Sequence, residues 1–169
     1  MSALNASIPV IETERVILRG PIPDDLAPLT AFFETDNSQF VGGPMGANET
    51  HRALLATLGS WSLYGYGPWH IAEAATNRFM GWTGLLRTAG KSEPGFAWTV
   101  LPAFQGKGFA SEAARAALDH VRTIMGHAPV ATFIDSANAP SIRLAEKLGF
   151  AHNATIGTEM TFRLNGGAG

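Results

Sequence analysis

The chain has 169 residues, 46% of them hydrophobic and 15% charged, which is typical of a globular protein with one domain, residues 1–169. Its net charge of −2 without a basic run argues against a nucleic-acid partner, and the lack of cysteine excludes disulfides, a thiol nucleophile and a cysteine zinc site. Neither a signal pattern nor an apolar stretch of about 18 residues is present, and the five histidines lack ligand spacing, so we expect a cytoplasmic protein without metal or membrane partner.

The first half of the chain predicts one strand, two helices and a hairpin. Residues 10–18 form the strand, and Asp24 or Asp25 then caps a helix that continues to about Thr35. A second helix, capped by Asn48, is expected to bury one apolar face. The members of that face are Leu54, Leu55, Leu58 and Trp61. Residues 69–74 and 79–86 then predict a hairpin.

The second half alternates strands and helices. A strand at 96–101 leads into a helix from about 108 to 125, whose inward alanines allow close contact with a sheet. The outward stripe of that helix alternates in charge as a solvated face does: Glu112, Arg115, Asp119 and Arg122. A strand at 130–134, a helix at 139–148 and a hairpin of 150–155 with 159–164 follow, and residues 165–169 are expected to be disordered. The order indicates a mixed α/β fold around one sheet.

The turn from Gln105 to Ala110 joins a strand to a helix, and such a turn aims backbone N–H groups and the helix dipole at one point. A Walker loop does not fit, because no glycine occupies position 102 and Gly108 follows Lys107. A dinucleotide fingerprint does not fit either, because Ser111 stands where the third glycine is required. The pattern that fits is Gln/Arg-x-x-Gly-x-Gly/Ala.

Three segments, in this order, resemble the GNAT superfamily of acyl-CoA N-acyltransferases, most closely its branch of ribosomal-protein N-terminal acetyltransferases. The segments are Ile11–Arg19, Gln105–Ala113, and Asn138–Ser141 with Glu146–Phe150. The likeness covers nearly the whole chain. It implies the GNAT fold, with a mixed, mostly antiparallel central sheet of six to seven strands that is splayed at its centre and flanked by about four helices.

The resemblance also implies acetyl-CoA as cosubstrate and a set of residues that contact it. The N–H groups of the glycine turn would hold the pyrophosphate, and the strand before it would pair with the pantetheine arm. The implied contacts are Trp98, Val100, Gln105, Gly106, Lys107, Gly108, Phe109, Ala110 and Asn138. Trp98 is equally expected as a core residue.

Catalytic residues follow less directly from the resemblance. Many relatives have a tyrosine that protonates the leaving thiolate, but Ala145 occupies that position here. Ser141 is the implied substitute, assisted by Asn138, although both residues are also typical helix caps. The implied general base is Glu93 or Glu73, then His70, or a relay through water.

The function that this resemblance implies is acetyl transfer to a primary amine, of a protein N-terminus or a small molecule, by direct attack in a ternary complex. A catalytically inactive CoA-binding sensor or assembly module, and a transferase that uses another acyl-CoA, are the alternatives. We expect a monomer or a homodimer, with acceptor specificity set by residues 39–46, the second helix and the aromatic residues of segment 61–69.

Overall fold

Eight strands form one sheet in this computed structural model, which describes residues 7–166. The strands are β1 (Ile11–Glu12), β2 (Val16–Arg19), β3 (Pro68–Glu73), β4 (Phe79–Leu86), β5 (Gly95–Val100), β6 (Val130–Asp135), β7 (Ala151–Ile156) and β8 (Glu159–Leu164). Their spatial order is β1-β2-β3-β4-β5-β6-β8-β7, and every pair is antiparallel except β5 with β6. The mixed, mostly antiparallel sheet is confirmed, with eight strands rather than six or seven.

The predicted single strand at 10–18 is wrong, because the chain reverses within it. The Thr13 N–H donates to the carbonyl of Val16 at 2.9 Å, which closes a turn. β1 therefore pairs back onto β2, with Ile11 opposite Leu18. The turn brings Thr13 and Arg15 to the edge of the sheet.

Four α-helices accompany the sheet. They are α1 (Leu26–Phe33), α2 (Ala47–Tyr64), α3 (Phe109–Ile124) and α4 (Ala139–Lys147). No helix among residues 7–166 is both long and apolar enough to cross a membrane. Asn165 and Gly166 follow β8 without regular structure, while the rest of the expected disordered end, 167–169, lies outside the described residues.

The start and the buried face of α2 differ from prediction. Gly46 is the N-cap instead of Asn48, and its N–H donates to the Glu49 carboxylate at 2.9 Å, an interaction that replaces a capping side chain. Trp61 and Leu54 are buried as expected, but Leu55 and Leu58 are 51% and 38% exposed. A face this narrow is enough, because α2 covers only the edge of the core.

The middle of α3 lies close to the sheet because its inward residues are small. Ala113, Ala114 and Ala117 are fully buried, and the helix contacts β2, β4 and β5. The outward stripe was predicted to be solvated, and this is wrong for Glu112, whose side chain is only 20% exposed and is held by Arg15.

A buried ionic cluster, which we call the Arg19–Asp25–His70 cluster, fixes the start of α1 to the sheet. Two guanidinium nitrogens of Arg19 donate to the Asp25 carboxylate at 2.8 and 2.9 Å, and His70 Nδ1 lies 2.7 Å from it. Burial raises the pKa of Asp25, but the hydrogen bonds from Arg19, His70 and the Ile22 backbone outweigh this and hold it well below its usual range. The Asp25 carboxylate therefore joins β2, β3 and α1, and it makes no cap bond to α1.

The sheet is splayed between β5 and β6. β5 pairs with β4 along its whole length, from Gly95 to Val100, but it meets β6 at one position only, Gly95 with Ala131. A Cβ atom at Gly95 would lie 2.7 Å from the Phe133 ring, so glycine permits the close approach at this join. Beyond it the strands diverge, as the family resemblance implied, and leave one edge of β5 without a strand partner among the described residues.

Candidate active site

A cavity of about 560 Å³ opens where β5 and β6 separate, at the N-terminal ends of α3 and α4. Its walls are the end of β5, the glycine turn, the start of α4 and the segment from Asn37 to Val41. A smaller cavity of about 70 Å³ continues between the two strands. The two cavities are adjacent and share five lining residues: Phe40, Val41, Trp98, Asn138 and Ser141.

The glycine turn is held in shape by its own residues. Gly106 and Gly108 have φ angles of +73° and +81°, a left-handed conformation that glycine adopts without the steric cost of a Cβ atom. The Gln105 side chain donates from Nε2 to the Val100 carbonyl at 2.9 Å, which ties the turn to the end of β5. The motif glutamine thus stabilises the backbone of the turn. Lys107 does not line the cavity, and its ammonium donates to the Ala103 carbonyl.

The first turn of α3 presents unpaired donors to the larger cavity. The first bond within the helix runs from Glu112 N–H to the Gly108 carbonyl at 3.1 Å, so the N–H groups of residues 109–111 have no partner inside the helix. Phe109, Ala110 and Ser111 all line the cavity. Together with the positive end of the helix dipole, these N–H groups make a site for an anion such as a phosphate.

Arg15 and Glu112 join this turn to the β1–β2 turn, and we call the pair the Arg15–Glu112 clamp. Nε and Nη2 of Arg15 each lie 2.7 Å from Glu112 Oε2, and Thr13 donates to Oε1 at 2.6 Å. Arg15 Nη1 donates to the Lys107 carbonyl at 2.9 Å, and its guanidinium lies 4.5 Å from the centre of the Phe109 ring. Burial raises the pKa of Glu112, but the bonds from Thr13 and Arg15 outweigh this and lower it.

Through Arg15, Glu112 links the glycine turn to the β1–β2 turn. Its partner Arg15 was missed as a site residue. A signal was present, because Arg15 stands in the first of the three segments that carry the family resemblance. The pairing itself spans 97 residues of sequence, so local patterns do not reveal it.

Asn138 and Ser141 meet at the start of α4. Asn138 is the N-cap, and its side-chain oxygen accepts from the Ser141 N–H at 3.4 Å. Both residues line both cavities. Among residues 7–166 the Ser141 hydroxyl has no hydrogen-bond partner, and it can donate to a group in the cavity. Ala145, one turn further along α4, is fully buried in the core.

Trp98 and Val100 are predominantly buried residues of β5 that also line the larger cavity. The Trp98 ring lies 5.9 Å from Phe96 and 6.4 Å from Phe150, so it belongs to the core and to the cavity wall at once. The unpaired edge of β5 beside them has backbone groups available to an extended ligand.

The three predicted bases lie away from both cavities. Glu93 is bound by Arg163 at the joined end of β5, and this hydrogen bond lowers its pKa. Glu73 accepts from Thr76 at 2.6 Å in the β3–β4 turn, and His70 is buried in the Arg19–Asp25–His70 cluster. Sequence reasoning missed Asp135, a carboxylate at the end of β6 that lines the smaller cavity.

Comparison with known proteins identifies this arrangement. The profile of the acetyltransferase (GNAT) domain matches residues 15–151, which is well over half of the chain. This chain belongs to the GNAT acetyltransferase family. The family resemblance that three sequence segments carried is therefore confirmed. In residues 7–166 no three His, Asp or Glu side chains come together as metal ligands would.

Solved structures share the fold of this GNAT acetyltransferase. An acetyltransferase from Agrobacterium tumefaciens str. C58 matches with a TM-score of 0.86 and 24% identity, over 94% of this chain and 95% of the other. RimL, a ribosomal L7/L12 alpha-N-protein acetyltransferase in complex with coenzyme A, matches with a TM-score of 0.77 and 14% identity, over 93% of this chain and 98% of the other. A spermidine N-acetyltransferase from Vibrio cholerae, in complex with CoA and spermine, matches with a TM-score of 0.70 and 18% identity, over 89% of this chain and 94% of the other.

Proposed function

We propose that this GNAT acetyltransferase transfers an acetyl group from acetyl-CoA to a primary amine, of a protein N-terminus or a small molecule, by direct attack while both substrates are bound. One observation carries the proposal: the cavity at the anion-binding turn of α3 adjoins the cavity between β5 and β6, and Ser141 lines both. A donor held at one end can thus meet an acceptor that enters from the other. Two fold relatives, RimL and the spermidine enzyme, act on these two kinds of amine.

The residues of the larger cavity fit coenzyme A. The N–H groups of residues 109–111 and the left-handed Gly106 and Gly108 suit a pyrophosphate, and Gln105 holds the turn in place. The open edge of β5 at Trp98 and Val100 suits the amide groups of a pantetheine arm. When bound, acetyl-CoA supplies the acetyl thioester; the protein supplies orientation and proton transfer.

Ser141 is the proposed proton donor to the sulfur that leaves. Its hydroxyl has no partner within residues 7–166, and it lines both cavities beside Trp98. Asn138 fixes the first turn of α4 through the Ser141 N–H, and its amide can also hold the donor or a water. A general acid placed in this way typically contributes about 10²- to 10⁴-fold to the rate.

Direct attack suits a chain with no cysteine, because no thiol is available to carry the acetyl group between substrates. A protein N-terminal ammonium has a pKa near about 8 against about 10.4 for lysine, so it needs little help to become the free amine. The amine nitrogen then attacks the thioester carbon, the carbon–sulfur bond breaks, and the sulfur takes the proton of the Ser141 hydroxyl. The surplus proton on nitrogen returns through water to Ser141.

Calorimetric binding of CoA, and thiol release from acetyl-CoA with a panel of amines, test the proposal. We expect CoA binding in the wild type and thiol release with at least one N-terminal peptide or small amine. Ser141→Ala should lower kcat by about 10²-fold with the KM for acetyl-CoA within about twofold of the wild type. Ser136→Ala, which removes an exposed hydroxyl outside both cavities, is the matched control.

The buried Ala145, where many relatives carry a tyrosine, supports one rival: a protein that binds CoA without catalysis. CoA binding with no thiol release from any acyl-CoA tested would favour that sensor or assembly module. Thiol release with a longer acyl chain and none with acetyl-CoA would instead make the protein a different acyltransferase.

A further inference from the structure

The smaller cavity is a slot between β5 and β6 with both apolar and polar walls. Its space, about 70 Å³, holds a few water-sized groups, which is the bulk of an amine with a short side arm. Apolar residues form much of its wall: Phe40, Val41, Phe133 and Ile134. It meets the larger cavity at Asn138 and Ser141, so a group in the slot faces the position proposed for the thioester.

Asp135 gives this slot its charge. Among the described residues it is the only carboxylate lining either of the two cavities, and it is half-buried at the end of β6. Its Oδ1 accepts from the Ala137 N–H at 2.8 Å. Oδ2 has no hydrogen-bond or ion-pair partner within residues 7–166, so it can bind an incoming donor.

An amine acceptor arrives at this slot mostly as an ammonium ion, because its pKa lies near about 8 to 10.4. We propose that the Asp135 carboxylate binds that ammonium and makes the enzyme select acceptors whose positive charge is confined to the reacting nitrogen. The inference rests on the proposed function. A second ammonium, as in a polyamine, would find no second carboxylate on the lining of either cavity, so it would lose water without gaining an ion pair.

A purely structural role for Asp135 makes a different prediction. Its Oδ1 bond to Ala137 shapes the turn that leads into α4, and asparagine forms the same bond equally well. Asp135→Asn therefore keeps the turn and removes only the charge, while Asp135→Ala removes both. A structural role predicts that the asparagine variant is silent; a charge role predicts that both variants are impaired.

The experiment measures steady-state kinetics with acetyl-CoA and three acceptors: a peptide with an N-terminal alanine, spermidine, and an arylamine that is neutral at pH 7. We expect wild-type kcat/KM to be higher for the peptide than for spermidine. Asp135→Asn should raise the peptide KM about tenfold, as loss of one charged hydrogen bond does, and leave the arylamine KM and the acetyl-CoA KM within twofold. Asp119→Asn, on the outer face of α3, controls for net charge.

A peptide KM that stays within twofold in Asp135→Asn would overturn the inference, as would an equal rise for the neutral arylamine. Spermidine used better than the peptide would overturn the selectivity. If the wild type binds CoA but no acceptor causes thiol release from acetyl-CoA, the proposed function fails, and the proposed role of Asp135 fails with it. That outcome can be told apart from failure of the Asp135 proposal alone, because it already appears in the wild type.

Discussion

Removing the Arg15 guanidinium tests whether the Arg15–Glu112 clamp supports donor binding through charge. Glu112 lies four residues after Gly108, about 6 Å further along α3, so its carboxylate is close to the proposed phosphate site. Arg15 neutralises this carboxylate through contacts at 2.7 Å. We expect Arg15→Gln to leave a negative charge that repels the pyrophosphate of acetyl-CoA.

The expected size of this repulsion follows from distance and exposure. Two charges about 8 Å apart interact by about 0.5 kcal/mol in water and by about 2 kcal/mol at an effective dielectric constant of about 20. The side chains of Arg15 and Glu112 are 43% and 20% exposed, so an intermediate value of about 1 kcal/mol per phosphate charge applies. Two charges give about 2 kcal/mol, which is about 30-fold in the Kd for CoA.

A double-mutant cycle separates this repulsion from the loss of other Arg15 contacts. The Kd for CoA and the KM for acetyl-CoA are measured for Arg15→Gln, Glu112→Gln and the double variant, with Arg115→Gln on the exposed face of α3 as control. We expect the double variant to recover most of the lost affinity, because the repulsion requires Glu112, and we expect kcat to stay near the wild-type value. A double variant that binds CoA as weakly as Arg15→Gln would refute the charge argument.

Two further substitutions test the turn and the buried cluster. Gly108→Asp introduces a Cβ atom at φ +81° and a negative charge at the proposed phosphate site, so it should abolish CoA binding measured by calorimetry. The control Gly157→Asp, at φ +61° in an exposed hairpin turn, should leave CoA binding intact. Retained binding in Gly108→Asp would exclude the turn from the donor site. Asp25→Asn leaves Arg19 buried without its charged partner, so it should lower the free energy of unfolding by about 3–5 kcal/mol in denaturant titrations at pH 7. The control Asp24→Asn, at an exposed position, should change it little. Since the folded-state pKa of Asp25 lies below its ordinary value of 3.8, this stabilisation is present above about pH 4 and is lost as the pH falls further; a wild-type advantage that stays constant down to pH 2 would contradict it.

Local sequence patterns predicted most elements of the fold, because their signals are carried by neighbouring residues. The Asn138 cap is an example, since it depends on an N–H group three residues away. Gly149, with φ +95°, follows the end of the last helix, a position where glycine is a typical local signal. The splayed sheet and the donor turn came from the family resemblance, which rests on segments whose order and spacing are specific.

Features that depend on distant partners could not be predicted in this way. The reversal at Thr13 reads as one strand in the sequence, and the contact that holds it, with Glu112, lies 99 residues away. Glu93 and Asp135 show the same limit for the site. Both are carboxylates next to predicted strands. Only the tertiary fold places Arg163 beside Glu93 and places Asp135 on the wall of the slot.

β5 and β6 pair at one ladder position only, Gly95 with Ala131, and this divides the sheet into two hydrogen-bonded blocks. The first block, β1–β5, carries α3 against it, and the second, with β6, β8 and β7, carries α4. Each block can open locally without breaking the other's strand ladder, so amide hydrogen exchange should reveal two units of different protection. A ligand that contacts both β5 and β6 would couple the two blocks. Its binding would slow amide hydrogen exchange in both strands, including residues that it does not contact.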